Sequence, residues 1–305
     1  MRLLVVLAAS LALAPAASGA TQLGIFGNIG RFHSLTGQQS TVGHVIVGWN
    51  QTTFDQIWPT LGPIPMLGFG TGQGSAESVT PLVIARGGGD SFLLALSQSA
   101  RDLQRAVYIR PMGEMNGHWN PYCAFNQNGS ARDAAHSTAA FRKAFARIYL
   151  IMHGGPAVNA RLRALKLPLV RTEIPANPLV QVVWNPQGYG SPDLRGNSAQ
   201  AYYPGDKYVD MVGDDLYDIG GKAEWPAAER LYRAHPSKPF AFPEWGLWGL
   251  DDPAFVQRMA TFVRTRRRTK VIAYFNAKPG SIFDLASKPR SLAAYKRYIL
   301  PLGSS

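Results

Sequence analysis

The sequence predicts an α/β fold, a single-domain (β/α)8 TIM barrel, and three observations lead there. Eight short, near-continuously apolar runs recur along the chain, the composition expected of parallel strands covered on both faces. Amphipathic helical patterns lie between several of them, and strand-then-helix repetition is the signature of this architecture. The length, 305 residues, suits one large α/β domain after removal of a leader.

The eight runs are residues 23–27 (LGIFG), 44–49 (HVIVGW), 64–69 (IPMLGF), 106–111 (AVYIRP), 180–184 (VQVVW), 209–213 (VDMVG), 239–243 (PFAFP) and 270–275 (KVIAYF). Residues 91–105 and 134–153 carry apolar spacing of three and four, and the second pattern stops at Gly154-Gly155. Residues 224–234, 253–266 and 291–300 supply three more helices, and 49–62 holds a shorter one. The connection from Trp184 to Tyr208, rich in Gly, Pro, Asn and Tyr, is long for a strand–helix loop and is expected to wall a cleft. Residues 157–177 read as an insertion before the fifth strand.

The first twenty residues read as a secretory signal peptide: Arg2, an apolar run over 3–14, then Ser18-Gly19-Ala20. The domain is therefore expected to span 21–305 and to work outside the cytoplasm, extracellular or periplasmic. No other segment is long and apolar enough to span a membrane. The lone cysteine, Cys123, excludes an intramolecular disulfide and reads as a small buried residue. The formal charge is +12, but the cations are scattered apart from RTRRRTK at 264–270. That run reads as a solvated helix end, with no nucleic-acid motif beside it. The six histidines lack metal-ligand spacing, no G-x-S-x-G elbow occurs, and GTGQGS at 70–75 lacks the lysine of a phosphate loop and reads as a flexible loop. Neither a cofactor nor a metal is implied, although Asp214, Asp215 and Asp218 cluster where a cation could bind.

Two segments carry the chemistry: RPMGEMNGHWNP at 110–121 and KPFAFPEWGLWG at 238–249. Each places one glutamate, Glu114 or Glu244, at the end of a strand run amid Gly, Asn and Trp. Active sites of this barrel sit at the C-terminal ends of its strands, and strands four and seven can face each other across the mouth. Cleaving a glycosidic bond needs two such carboxylates.

On these motifs the chain resembles glycoside hydrolase family 26, best known for β-mannanases. The family's fourth strand reads Arg-Pro, then His-Glu-Met-Asn-Gly followed by Trp; here the residues are Arg110-Pro111-Met112-Gly113-Glu114-Met115-Asn116-Gly117-His118-Trp119. The run from Tyr202 to Gly213, leading into Asp215 and Tyr217, is similar to the family's approach to strand six. The resemblance implies a secreted, retaining endo-β-glycanase of β-mannanase type, with Glu114 as general acid/base and Glu244 as nucleophile. It implies polysaccharide or oligosaccharide as partner, with Arg110, Trp119, Trp184, Tyr217 and Trp245 about the sugar; Asn116 reads as a sugar contact or a turn cap, and the chain is expected to act as a monomer without cofactor. Trp49 and Trp248 read as core aromatics, and Asn185 as a sugar contact or a turn cap. Gly113 departs from the family's histidine, which removes a donor and should open space beside the acid. Two other readings stay open: a related barrel glycanase acting on another polysaccharide, acidic ones included, and a non-catalytic carbohydrate-binding barrel.

Overall fold

Strands that are apolar on both faces need a partner on each edge, and a closed ring of parallel strands provides both. The computed structural model, which describes residues 20–303 apart from 52, 74 and 75, closes such a ring. Its strands are β1 (Gln22–Gly27), β2 (Val42–Val47), β3 (Ile64–Phe69), β4 (Val107–Pro111), β5 (Val180–Trp184), β6 (Met211–Ile219), β7 (Phe240–Trp248) and β8 (Thr269–Ala277). They follow one another in chain order around the barrel, and β8 pairs with β1. The leader lies outside the described residues up to position 19. Among the described residues no helix is long and apolar enough to cross a membrane.

The helical layer is uneven. It comprises α1 (Ile29–Thr36), α2 (Phe54–Ile57), α3 (Pro81–Ala85), α4 (Asp90–Asp102), α5 (Thr138–His153), α6 (Val158–Ala164), α7 (Trp225–Ala234), α8 (Pro253–Thr265) and α9 (Pro289–Ala294). Local chemistry sets their ends. The Asn28 side chain accepts from Arg31 N at 2.8 Å to start α1, and Gly37, at φ 85°, closes it. Ser137 caps α5, so the expected 134–153 helix divides into a 3₁₀ turn and a separate α-helix. No α-helix follows β5: three short 3₁₀ turns between Arg195 and Tyr208 replace it. Strict strand–helix alternation therefore fails at the fifth unit, where Gly and Pro oppose a helix. The GTGQGS segment is not a simple flexible loop. Gly72–Gln73 pairs with Ala76–Glu77 as a small hairpin, anchored by Thr71 Oγ1 donating to Glu77 Oε1 and by His136 against Glu77 Oε2, each at 2.7 Å.

Strands β6, β7 and β8 run well beyond their apolar cores. Polar and aromatic residues continue the ladder, with Asp215 opposite Glu244, Tyr217 opposite Gly246 and Ile219 opposite Trp248. Glu244 is thus inside β7 rather than at its end. Between Ala241 and Glu244, β7 holds one more residue than β6, and the same excess appears against β8. This bulge falls at Pro243, which has no N–H for the ladder. It shifts the alternation so that Glu244, two steps after inward Ala241 plus the extra residue, also faces inward.

The barrel floor is apolar. Val42, Met66, Tyr108, Val183, Met211, Ala241 and Val271, one from each of β2 to β8, fill it. Two residues further along three of these strands the same inward face becomes polar: His44 above Val42, Arg110 above Tyr108, Asn185 above Val183. The site grows from that layer. At the other end of the barrel, the RTRRRTK run is less solvated than expected. Arg266 pairs with Glu229 at 2.7 Å, and Arg268 donates to the carbonyls of Tyr232, His235 and Lys238, tying the end of α7 to the approach to β8.

Candidate active site

Glu114 sits in a tight turn after β4, where Met112 and Glu114 both take left-handed φ values, 48° and 54°. Such values are uncommon outside glycine and need outside support. It comes from Met112 N donating to Phe69 O at 2.6 Å and Glu114 N donating to Asn185 O at 2.7 Å. Tyr122 Oη donates to Gly113 O at 2.7 Å and Asn120 Nδ2 to Glu114 O at 2.9 Å. The carboxylate accepts from Trp119 Nε1 at 2.8 Å on one oxygen and from Gln187 Nε2 on the other.

Glu244 is held differently. Arg110 Nη1 donates to Oε1 at 2.7 Å and Tyr217 Oη to Oε2 at 2.6 Å. The other guanidinium nitrogens of Arg110 bind Asp215 and, through Nε at 3.2 Å, Asn185 Oδ1. Asp215 Oδ1 in turn accepts from Glu244 N at 3.1 Å.

These environments push the two carboxyls apart. Burial, reinforced by the nearby Glu244 charge, raises Glu114 above the ordinary glutamate value. Burial opposes the charge of Glu244 as well, but Arg110 and the Tyr217 hydroxyl outweigh it and hold Glu244 below the ordinary value. His44 is pushed down to about 3 by burial and by Arg110, so it stays neutral there.

The pair lies at the waist of one long cleft. A cavity of about 440 Å³ on one side is lined by Phe26, Gln73, Asn120 and Tyr122, among others. A second, of about 450 Å³, is lined by Trp119, Tyr189, Trp248 and Phe283. Glu114, Glu244 and Phe275 line both. Phe26 and Phe275 stack with ring centroids 4.4 Å apart.

Of the expected site residues, Glu114, Glu244, Arg110, Trp119 and Tyr217 meet here. Three do not reach the cleft. Trp184 and Trp245 are fully buried, because alternation along β5 and β7 turns them outward from inward Val183 and Glu244. Trp184 packs against Tyr203 and His235, and Trp245 against Tyr274 and Tyr295. Asn116 is also fully buried. Its amide donates to Gln187 O at 2.9 Å and Tyr189 O at 3.0 Å and its oxygen accepts from Gln187 N at 2.8 Å, fixing the loop that carries Gln187. Conversely Trp248, expected in the core, is 44% exposed and lines the cleft; Trp49 is core as expected. Asn185 serves Arg110 rather than a turn. Gln187, His44, Phe26, Phe275 and Phe283 gave no motif signal, although inward alternation along β2 and β8 could have flagged His44 and Phe275.

The space expected beside Gly113 is occupied. A Cβ built at Gly113 would lie 2.7 Å from Arg110 Cζ and Nη2, so the guanidinium sits where a side chain would begin. The three aspartates do not form one cation site. Asp214 accepts from Gly188 N at 2.8 Å, Asp215 is bound to Arg110, and Asp218 lies outside the cleft. Among the described residues no group of three or more His, Cys, Asp or Glu side chains converges on a metal position. Cys123 is buried as a free thiol.

No protein-family model matches the chain. In sequence it is similar to Endoglucanase H of Acetivibrio thermocellus, 24% identical over 293 residues, which covers 88% of this chain but only 28% of that much longer protein. In structure it is similar to a mannanase of Bacillus subtilis, with a TM-score of 0.59 and 18% identity over 92% of this chain and 86% of that one. A family 26 β-mannanase from Bacteroides ovatus gives a TM-score of 0.57 at 18% identity, with the same coverage. A β-mannanase from a symbiotic protist of the termite Reticulitermes speratus, complexed with a gluco-manno-oligosaccharide, gives 0.55 at 15% identity over 92% and 87%. By three-dimensional structure, the chain has the (β/α)8 fold of the glycoside hydrolase family 26 β-mannanases.

Proposed function

We propose that the protein is a secreted, retaining endo-β-glycanase of mannanase type, with Glu114 as general acid/base and Glu244 as nucleophile. One observation carries the reading: two glutamates at the waist of one cleft, Glu114 half-buried and Glu244 buried, are pushed in opposite directions, Glu114 toward its acid form and Glu244 toward its anion. A general acid must start protonated and a nucleophile ionised. The sequence relative and the structural relatives being glycanases supports the same class. A cleft that continues on both sides of the carboxylate pair suits attack within a chain rather than at its end. Residues 1–20 act in this reading as the export signal, and the reaction requires no cofactor and a single copy of the chain.

The substrate is read as a neutral β-linked polysaccharide. Arg110 is committed to Glu244 and Asp215, and the other cation lining the cleft, Lys222, stands near Glu224. The basic charge of the whole chain therefore has little expression in the groove, which disfavours an acidic glycan. The opposite shifts of the two glutamates equally disfavour a binding module that has lost catalysis.

The test is Glu244→Ala and Glu114→Ala on mannan, glucomannan and mixed-linkage glucan, with NMR of the first-formed anomer by wild type. Glu244→Ala should be inactive and partly rescued by azide, giving inverted product. Glu114→Ala should retain far more activity on substrates with good leaving groups than on polysaccharide. An inverted wild-type product would overturn the nucleophile assignment, since inversion needs the carboxyls roughly 6.5–9.5 Å apart rather than roughly 5–5.5 Å.

A further inference from the structure

Asp218, near the end of β6, is a buried carboxylate that the proposed chemistry does not use. It is 1% exposed, and neither of its oxygens has a donor in good hydrogen-bond geometry; its polar neighbours are the Asp252 carboxylate and the Gly221 N–H. Buried carboxylates without partners are rare because desolvating the charge is costly. The side chain lines a cavity of about 160 Å³ with Gly221, Ala223, Asp252 and Arg258. Asp252 is the N-cap of α8: its Oδ1 accepts from Ala254 N at 2.8 Å and from Phe255 N at 3.3 Å. Burial, with the Asp252 carboxylate beside it, pushes Asp218 above its ordinary value. Arg258 does not neutralise the pair. Its guanidinium is drawn over the Trp225 ring, 5.0 Å from the centroid, and it forms no ion pair among the described residues.

We propose that Asp218 and Asp252 hold a hard divalent cation of calcium type in this cavity. Calcium takes six to eight oxygen ligands from carboxylates, backbone carbonyls and water at about 2.3–2.6 Å. Two carboxylates facing one polar cavity, one of them without a donor in good geometry, supply the charged part of such a set. The cavity has room for an ion and several waters at about 30 Å³ each, and Gly221 and Ala223 of the 220–223 segment line its wall. Gly220 and Gly221, at φ 62° and 77°, let that segment fold back over Asp218. The ion would clamp the loop after β6 to the start of α8. Ile219, Lys222 and Glu224 of that loop line the second half of the cleft, so the clamp would fix one wall of the groove from behind.

The test uses the intact protein stripped with EDTA and titrated with calcium, followed by thermal unfolding and calorimetry, so it reads binding and not activity. Wild type should bind about one calcium and gain roughly 5 °C at a hundredfold excess over Kd. Asp218→Asn should lose the shift. Asp252→Asn keeps a good N-cap, so α8 stays intact while the shift shrinks. A calcium shift that persists in both variants would overturn the site. So would a wild type that ignores millimolar calcium and is instead stabilised by acid, which would mean that the two carboxyls share a proton.

Discussion

Gly113→Ala is the smallest change that tests how the site is built. The new methyl carbon would lie 2.7 Å from Cζ and Nη2 of Arg110 and 2.8 Å from Nε, whereas ordinary contact begins at 3.4 Å. No positive φ burdens position 113, so the backbone tolerates alanine and the guanidinium must withdraw, by about 0.7 Å. Arg110 is buried and bound to Glu244, Asp215 and Asn185 at once, so withdrawal degrades that whole set. A hydrogen bond to a charged group contributes about 1.5–3 kcal/mol. If one such bond to Glu244 is lost where the nucleophile must stay aligned, kcat falls about 10- to 150-fold. KM should change little, since Gly113 offers no side chain to the sugar. The pH profile gives the sharper readout. Arg110 is the leading neighbour that lowers the Glu244 value; moving it away lets that value rise, so the acid limb of kcat/KM should shift to higher pH. The assay is release of reducing ends and of an aryl leaving group across the acid range, with circular dichroism to confirm folding. A folded variant with wild-type kcat and an unmoved acid limb would refute the reasoning. Gly113→His, the residue of the related family, meets the same obstacle and should lower activity rather than restore mannan cleavage.

Trp119→Phe removes the indole donor that favours ionised Glu114, so the alkaline limb of the profile should move upward, measured on a substrate with a poor leaving group. Trp248→Ala removes an exposed ring packed against Tyr217 and Phe283; KM for polymer should rise about 2- to 13-fold for a lost aromatic contact of about 0.5–1.5 kcal/mol, with small aryl glycosides spared. Arg31→Ala breaks the pair that, with backbone donors, brings Asp284 down to about 2 against the cost of its burial. A depressed folded-state value gives stability that is full above the unfolded value near 4 and lost as pH falls to about 2. Urea unfolding should therefore show the variant weaker by about 1 kcal/mol at neutral pH, Arg31 being a third exposed, with the gap closing in acid.

The barrel was legible because its eight apolar runs are each sufficient to mark a strand, and both glutamates because their motifs are local. What the sequence hid depends on two-residue alternation and on where it breaks. Trp184 ends β5 and Trp245 lies within β7, in motifs that suggest a sugar contact, yet each directly follows an inward residue and so turns to the helix layer. Trp248 keeps phase with Glu244 and emerges in the cleft. The phase of β7 depends on the bulge at Pro243, which a linear pattern does not reveal. The sequence likewise marks Gly113 as a missing side chain but cannot say that Arg110, three residues earlier, fills the space. The fifth helix is absent for a readable reason, the Gly and Pro content of 185–205, whereas α1 and α3 are too short for their periodicity to stand out.

The site also holds an imbalance that assigns its proton. Glu114, Asp215 and Glu244 are carboxyls that affect one another within one buried cluster, and Arg110 is the cation among them. One positive charge cannot hold three buried anions, so a proton should remain. Glu244 receives the guanidinium and a phenol, and Asp215 receives the guanidinium, whereas Glu114 receives only neutral donors, an indole and an amide. Burial pushes Asp215 up as well as Glu114, but both Asp215 oxygens accept hydrogen bonds, from Arg110 and from Glu244 N, so Glu114 is the carboxyl of this cluster left to carry the proton that the proposed reaction needs. Those neutral donors also keep the Glu114 anion within reach. When Glu244 becomes a glycosyl ester its negative charge disappears, and with it the repulsion that raises Glu114. Glu114 then loses its proton more readily and can serve as the base that activates water. In the proposed cycle the same residue would be acid in one half and base in the other, because its partner's charge, not its own surroundings, would change between them.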